Sequence, residues 1–215
     1  MSTSMGRTQG IELTFSNVFK FFSAIAPFLL TFLMVMISIF NSNFKGMIYL
    51  LGILIAFFMT VMFQAIIRYN PEQHLKPGEH VATLCRIFSL PYPLGSYTSP
   101  SFNSVMIAFT FIYLWIPMQE NNVVNYPLLI CIFGIFVIDA FSRLHGKCTN
   151  EQGIILGGVF GIILGAVWYN LLKITDNKHL LYYDEYVSNK VACSKPQKQT
   201  FKCAVYKNGE LLKTL

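Results

Sequence analysis

The sequence predicts an all-α, polytopic membrane helix bundle of about five spans, followed by a small tail containing a β-hairpin. Three observations predict it. Only 12% of the 215 residues are charged and 54% are hydrophobic, whereas a soluble domain carries about 25% charged residues. Apolar runs close to the roughly 20 residues that cross a bilayer core recur five times. The chain after the last run holds Asn208-Gly209 between two short segments of strand character, and Asn-Gly is the strongest short hairpin-turn signal. The composition excludes a disordered chain, a collagen-like fibre and a small disulfide-framed secreted domain.

The spans follow in order. Residues 21–40 carry no charge and one proline, Pro27. Residues 47–67 end abruptly at Arg68. The run 101–118 is short and uncharged, 124–141 contains a lone Asp139, and 153–172 is uncharged and glycine-rich. Residues 1–20 lack the apolar stretch and small-residue cleavage site of a removable signal peptide, so 21–40 is expected to stay as an anchor. There is no N-myristoylation pattern and no Asn-x-Ser/Thr acceptor.

The formal net charge of +6 raises nucleic acid as a partner, so the charges must be located. Residues 21–172 hold six basic and five acidic side chains, whereas 173–215 hold eight lysines against Asp176, Asp184, Glu185 and Glu210. Spaced lysines in a tail read as a solvated surface, or as attraction to anionic lipid headgroups. No basic run is interleaved with a stacking platform, so no nucleic-acid partner is expected. Membrane lipids are the expected partners, with a protein partner possible for the tail at 173–215.

Orientation stays open. Five spans put residues 1–20, 68–100 and 142–152 on one side, with Arg7, Lys20, Arg68, Lys76, Arg86, Arg143 and Lys147. The other side has Lys45 in its loops and the lysine-rich tail. Short loops argue that the first side is cytoplasmic, and the tail argues the opposite.

Cys85, Cys131 and Cys148 have no C-x-x-C or Cys/His spacing, so no zinc site or other metal is expected. Cys193 and Cys203 could bridge in an oxidising compartment; free thiols are the expectation. No cofactor is expected.

Charged groups beside spans are costly and mark function. Three such places share one side: Arg68 to Lys76-Pro77, Pro100-Ser101-Phe102-Asn103-Ser104, and Ser142-Arg143-Leu144-His145-Gly146-Lys147-Cys148-Thr149. Converging cations, hydroxyls and helix N-termini would make an anion site. The plainer alternative is a set of interfacial anchors that snorkel to the headgroups.

These residues resemble the type 2 phosphatidic acid phosphatase and haloperoxidase superfamily, whose membrane members are lipid-phosphate phosphatases. That family carries K-x6-R-P after one helix, P-S-G-H opening the next, and S-R-x5-H after a following one. Ser142-Arg143 matches the start of the third motif, and Gly146, Gly157 and Gly161 fall at offsets where the family has small residues. Pro100-Ser101 matches half of the second. Arg68 and Lys76-Pro77 look like a degraded first motif with lysine and arginine exchanged. The resemblance covers about 57–172 and implies a phosphate-handling helix bundle.

The departures bear on function. The family's nucleophilic histidine falls at Thr149, its acid histidine at Asn103, and the carboxylate that orients the nucleophile at Gly153. A nucleophile needs an activated lone pair and a general acid needs a proton to give near neutral pH. Threonine without a base and asparagine supply neither, so no catalytic residue is expected. The groups left suit holding a phosphate: Arg143 as a bidentate fork, Arg68 and Lys76 as charge, Ser101, Asn103 and Thr149 as polar partners. Arg143 could instead pair with Asp139, four residues earlier on one helix face. Gly153, Gly157, Gly161 and Gly165 repeat every four residues and form a smooth face for close helix packing.

The expectation is a catalytically inactive, lipid-phosphate-binding or scaffolding membrane protein. Two alternatives stay open: a hydrolase of lipid phosphates or diphosphates using a relocated His145, His74 or His80, and a structural membrane protein whose tail docks a partner.

Overall fold

The structure, a computed structural model, describes residues 15–74, 81, 85, 96–175, 180–183, 204–207 and 210–214. It falls into two units, Met1–Asp184 and Glu185–Leu215. The first holds five helices: α1 (Phe15–Phe40), α2 (Lys45–Ile67), α3 (Phe102–Glu120), α4 (Tyr126–His145) and α5 (Glu151–Ile174). A short 3-10 turn, Pro71–His74, follows α2. All five helices are long and apolar enough to cross a membrane, and the chain is a multi-pass integral membrane protein.

Several helix ends extend beyond the apolar runs, whereas α3 and α4 begin one and two residues inside theirs. Hydropathy marks only the stretch that would sit in hydrocarbon, while backbone hydrogen bonding continues for another turn into polar residues. Thus α1 takes in Lys20, and α4 runs to His145 and carries Ser142 and Arg143 on its last turn. The stops are chemical. Asn125 caps α4 by accepting the Leu128 N–H at 3.2 Å, with Pro127 in the first turn, where a missing N–H costs nothing. Asn150 caps α5 from the Gly153 N–H at 2.8 Å. Arg68, with φ 53°, ends α2 in the left-handed region.

Helix α3 is the centre, buried along most of its length, whereas α1, α2, α4 and α5 show apolar side chains such as Phe32, Phe58, Ile130 and Ile155 outward. Outward apolar chains are what lipid tails require, and no hydrophobic drive exists there to bring helices together. Close approach must supply it. The α5 glycines do so against α3: a Cβ on Gly157 would meet the Ser101 carbonyl at 2.7 Å, one on Gly165 the Phe109 carbonyl at 2.8 Å, and one on Gly161 would collide with the Val105 carbonyl. Around this seam Tyr49, Phe109 and Tyr113 pack as an aromatic cluster, with the Tyr49 and Thr110 hydroxyls bonded at 2.7 Å.

After α5, Leu181 is buried and Tyr182 donates its hydroxyl to the Met34 carbonyl at 2.7 Å. Burial lifts the Tyr182 phenol from 10.0 to about 12. Lys173 and Tyr169 both donate to Glu120, at 2.7 and 2.8 Å, tying the end of α5 to the end of α3. In the second unit, β1 (Ala204–Lys207) and β2 (Glu210–Thr214) pair antiparallel, Lys207 opposite Glu210, with a register irregularity between Val205 and Tyr206. Asn208-Gly209, Cys193 and Cys203 lie outside the described residues.

Candidate functional site

The polar end of the bundle begins with Pro27. Proline has no N–H, so the Ser23 carbonyl one turn earlier in α1 loses its helical partner. Asn103 of α3 supplies one: its Nδ2 lies 3.3 Å from that carbonyl and donates to Asp139 Oδ1 of α4 at 2.9 Å. Ser23 Oγ donates to the same oxygen at 2.9 Å, and Arg143 Nε donates to it at 3.2 Å. Three helices therefore meet on one buried carboxylate. Asp139 Oδ2 has no hydrogen-bond partner among the described residues.

Arg143 pairs with Asp139 through Nε and also lines a narrow hollow of about 20 Å³. Lys20, Ser23, Ser142, Gly146 and the two sulfurs' residues, Cys85 and Cys148, line this hollow with it. Cys85 and Cys148 form a disulfide that joins the connection before α3 to the turn before α5. Spacing gave no hint of this bond, because sequence carries no distance between two cysteines 63 residues apart in different connections. Cys131 of α4 is exposed and free.

Ser101 and Thr149 lie at the first turn of α5 rather than in that hollow. The Ser101 N–H donates to the Gly153 carbonyl at 2.8 Å, and a Cβ on Gly153 would meet Thr149 Oγ1 at 2.5 Å. Thr149 Oγ1 donates to the Thr98 carbonyl at 3.1 Å. The hydroxyls of Ser101, Ser104 and Thr98 are buried without a hydrogen-bond partner among the described residues. A second, open cleft of about 520 Å³ lies on this side, lined by Tyr69, His74, Lys147, Thr149 and Gln152 among others.

Of the sequence-chosen groups, Asn103 and Arg143 thus converge on Asp139, and Ser101 and Thr149 on Gly153, as two adjacent clusters. Arg68 is exposed, its Nε on the Ala65 carbonyl at 3.1 Å. Lys76 and His80 lie outside the described residues. His145 is exposed with Nδ1 3.1 Å from the Phe141 carbonyl of its own helix, and His74 stacks on Tyr69. Sequence reading counted Lys20 only among the cations of one membrane side and passed over Ser23; the proline four residues after Ser23 was the available sign of a polar contact there. Among the described residues no group of histidine, cysteine and carboxylate side chains could hold a metal ion.

Comparison with family models, curated proteins and solved structures finds no match to this chain.

Proposed function

We propose that this protein is a catalytically silent relative of the lipid-phosphate phosphatases, which holds the phosphate of a membrane lipid at the Arg143 end of the bundle without cleaving it. One observation carries the reading: Arg143 and Lys20 line a single hollow that no carboxylate among the described residues lines. Asp139 behind it already takes three donors on one oxygen and balances only one of the two cations. A second cation with no counterion among the described residues favours an anion, and the guanidinium fork matches phosphate. The rival hydrolase reading needs an imidazole at the hollow, and neither His74 nor His145 is among its lining residues. A scaffolding role is favoured by the same Asp139 cluster, which joins α1, α3 and α4 whether or not a ligand binds.

Native mass spectrometry of the full chain in detergent tests this, before and after thiol reduction. Phosphatidate should be retained over phosphatidylcholine, and Lys20→Ala or Arg143→Gln should abolish the preference. No inorganic phosphate should be released from phosphatidate or a polyprenyl diphosphate. Release that disappears in His145→Ala would establish the hydrolase instead, and equal retention of both lipids in every redox state would leave only the scaffold.

A further inference from the structure

We infer that the Arg143 end of the bundle faces an oxidising compartment, so that the phosphate it holds belongs to a lipid of the non-cytosolic leaflet. The inference rests on the headgroup reading above and names the lipid pool that the same site draws on. The disulfide is the first argument. Cys85 and Cys148 are bonded. Such bonds form and persist in extracellular, lumenal and periplasmic surroundings, while glutathione and thioredoxin keep cytosolic thiols reduced. Both cysteines line the hollow together with Lys20 and Arg143. Bond and site therefore share one membrane face.

The order of the helices assigns the opposite face. Arg143 lies on the last turn of α4, and Cys148 lies in the short turn before α5. Helix α5 starts at that face and, being long and apolar enough to cross, ends at Ile174 on the other. There Lys173 bonds Glu120 at the end of α3, and exposed Thr175 caps α5. The Thr175 end is the cytosolic one.

Charge has to be weighed against this. Arg7, Lys20, Arg68, Lys76, Arg86, Arg143 and Lys147 belong to the disulfide's side, whereas Lys45, Lys173 and Lys178 lie near span ends on the other. By number, the short connections favour the first set as cytosolic. Two of that set have a role in the site, however: Arg143 pairs with Asp139 at 3.2 Å, and Lys20 lines the hollow beside it. Lys173 and Lys178 in turn head a stretch, 173–215, that holds eight lysines. Charge is a bias on insertion, whereas a bridge between two connections is a product that the cytosol does not sustain. The bond decides.

Sealed membrane vesicles with the cytosolic face outward, carrying the full chain with Thr175→Cys, are treated with a membrane-impermeant maleimide and read by peptide mass. The thiol introduced at position 175 should be labelled at once. Cys85 and Cys148 should stay unlabelled, even after detergent opens the vesicles, and take the label only when dithiothreitol is added as well. Labelling of either cysteine in sealed vesicles, labelling in opened vesicles without dithiothreitol, or protection of position 175 overturns the inference. The lipid arm adds phosphatidate with a photoreactive acyl chain to the outer leaflet of these vesicles and of inverted ones. Adducts should form from the non-cytosolic leaflet and be lost from the cytosolic leaflet and in Arg143→Gln. Adducts from the cytosolic leaflet alone, or equally from both, overturn the choice of leaflet. With labelling as expected and no adduct from either leaflet, the headgroup reading fails and the orientation stands.

Discussion

A single carboxylate oxygen, Asp139 Oδ1, receives hydrogen bonds from side chains of three helices. Removing it leaves Arg143 without its partner at a site that is largely closed to water, the costly way to break a buried pair. Asp139→Ala is therefore expected to destabilise the bundle by about 3 kcal/mol or more. Asn103→Ala loses one neutral hydrogen bond, to the Ser23 carbonyl, and one to the Asp139 carboxylate, and should cost about 1–2 kcal/mol. Thermal unfolding in detergent, followed by circular dichroism, checks both. Tyr182 gives a pH prediction. Its phenol is raised from 10.0 to about 12 by burial, so the folded state holds the proton more tightly than the unfolded one. Its stabilising contribution is complete below pH 10 and is lost as pH rises through 12. Tyr182→Phe should lessen the fall in stability over that window, read by unfolding at stepped alkaline pH. Of these groups Asp139 and Arg143 were legible as an i,i+4 pair, because both lie on one helix. Ser23 was not, because a contact between α1 and α4 has no local pattern to announce it.

The glycine row of α5 is a feature of the helix rather than of any one residue. Its spacing of four was visible in the sequence, and so was close packing as its reason; which helix would fill the groove was not. The partner is α3, whose backbone carbonyls lie where side chains would stand. Gly161→Ala should cost about 1–3 kcal/mol, since the clash is with backbone that cannot turn aside. Gly134→Ala on α4 has nothing within 4 Å and should be neutral or stabilising by up to about 1 kcal/mol through helix propensity. A Tm measured for the pair separates packing from propensity. Helix ends were the less legible part. Apolar runs mark hydrocarbon, and the extra turn that puts Arg143 on α4 is stabilised by backbone bonding, which hydropathy does not register.

For the whole chain, five crossings and an all-helical membrane body could be read from composition and the spacing of apolar runs alone, because the bilayer fixes both length and polarity. What joins distant connections could not. The Cys85–Cys148 bond closes a loop of 63 residues, for which loop-closure entropy gives at most about 4 kcal/mol. Helices already threaded through a membrane have less freedom to lose, so reduction should lower the stability by less than this. Unfolding in parallel with and without a dithiol measures the difference, and no change would mean that the spans themselves supply the whole constraint.

The burial of α3 also bears on how the protein is made. It is the least apolar of the five helices and the one most enclosed by the others. Its glycine-faced neighbour α5 leaves the ribosome later, so α3 must enter the bilayer before its main companion exists. Tested singly in a translocation assay, residues 102–120 should insert poorly, and appending the chain through residue 174 should restore them.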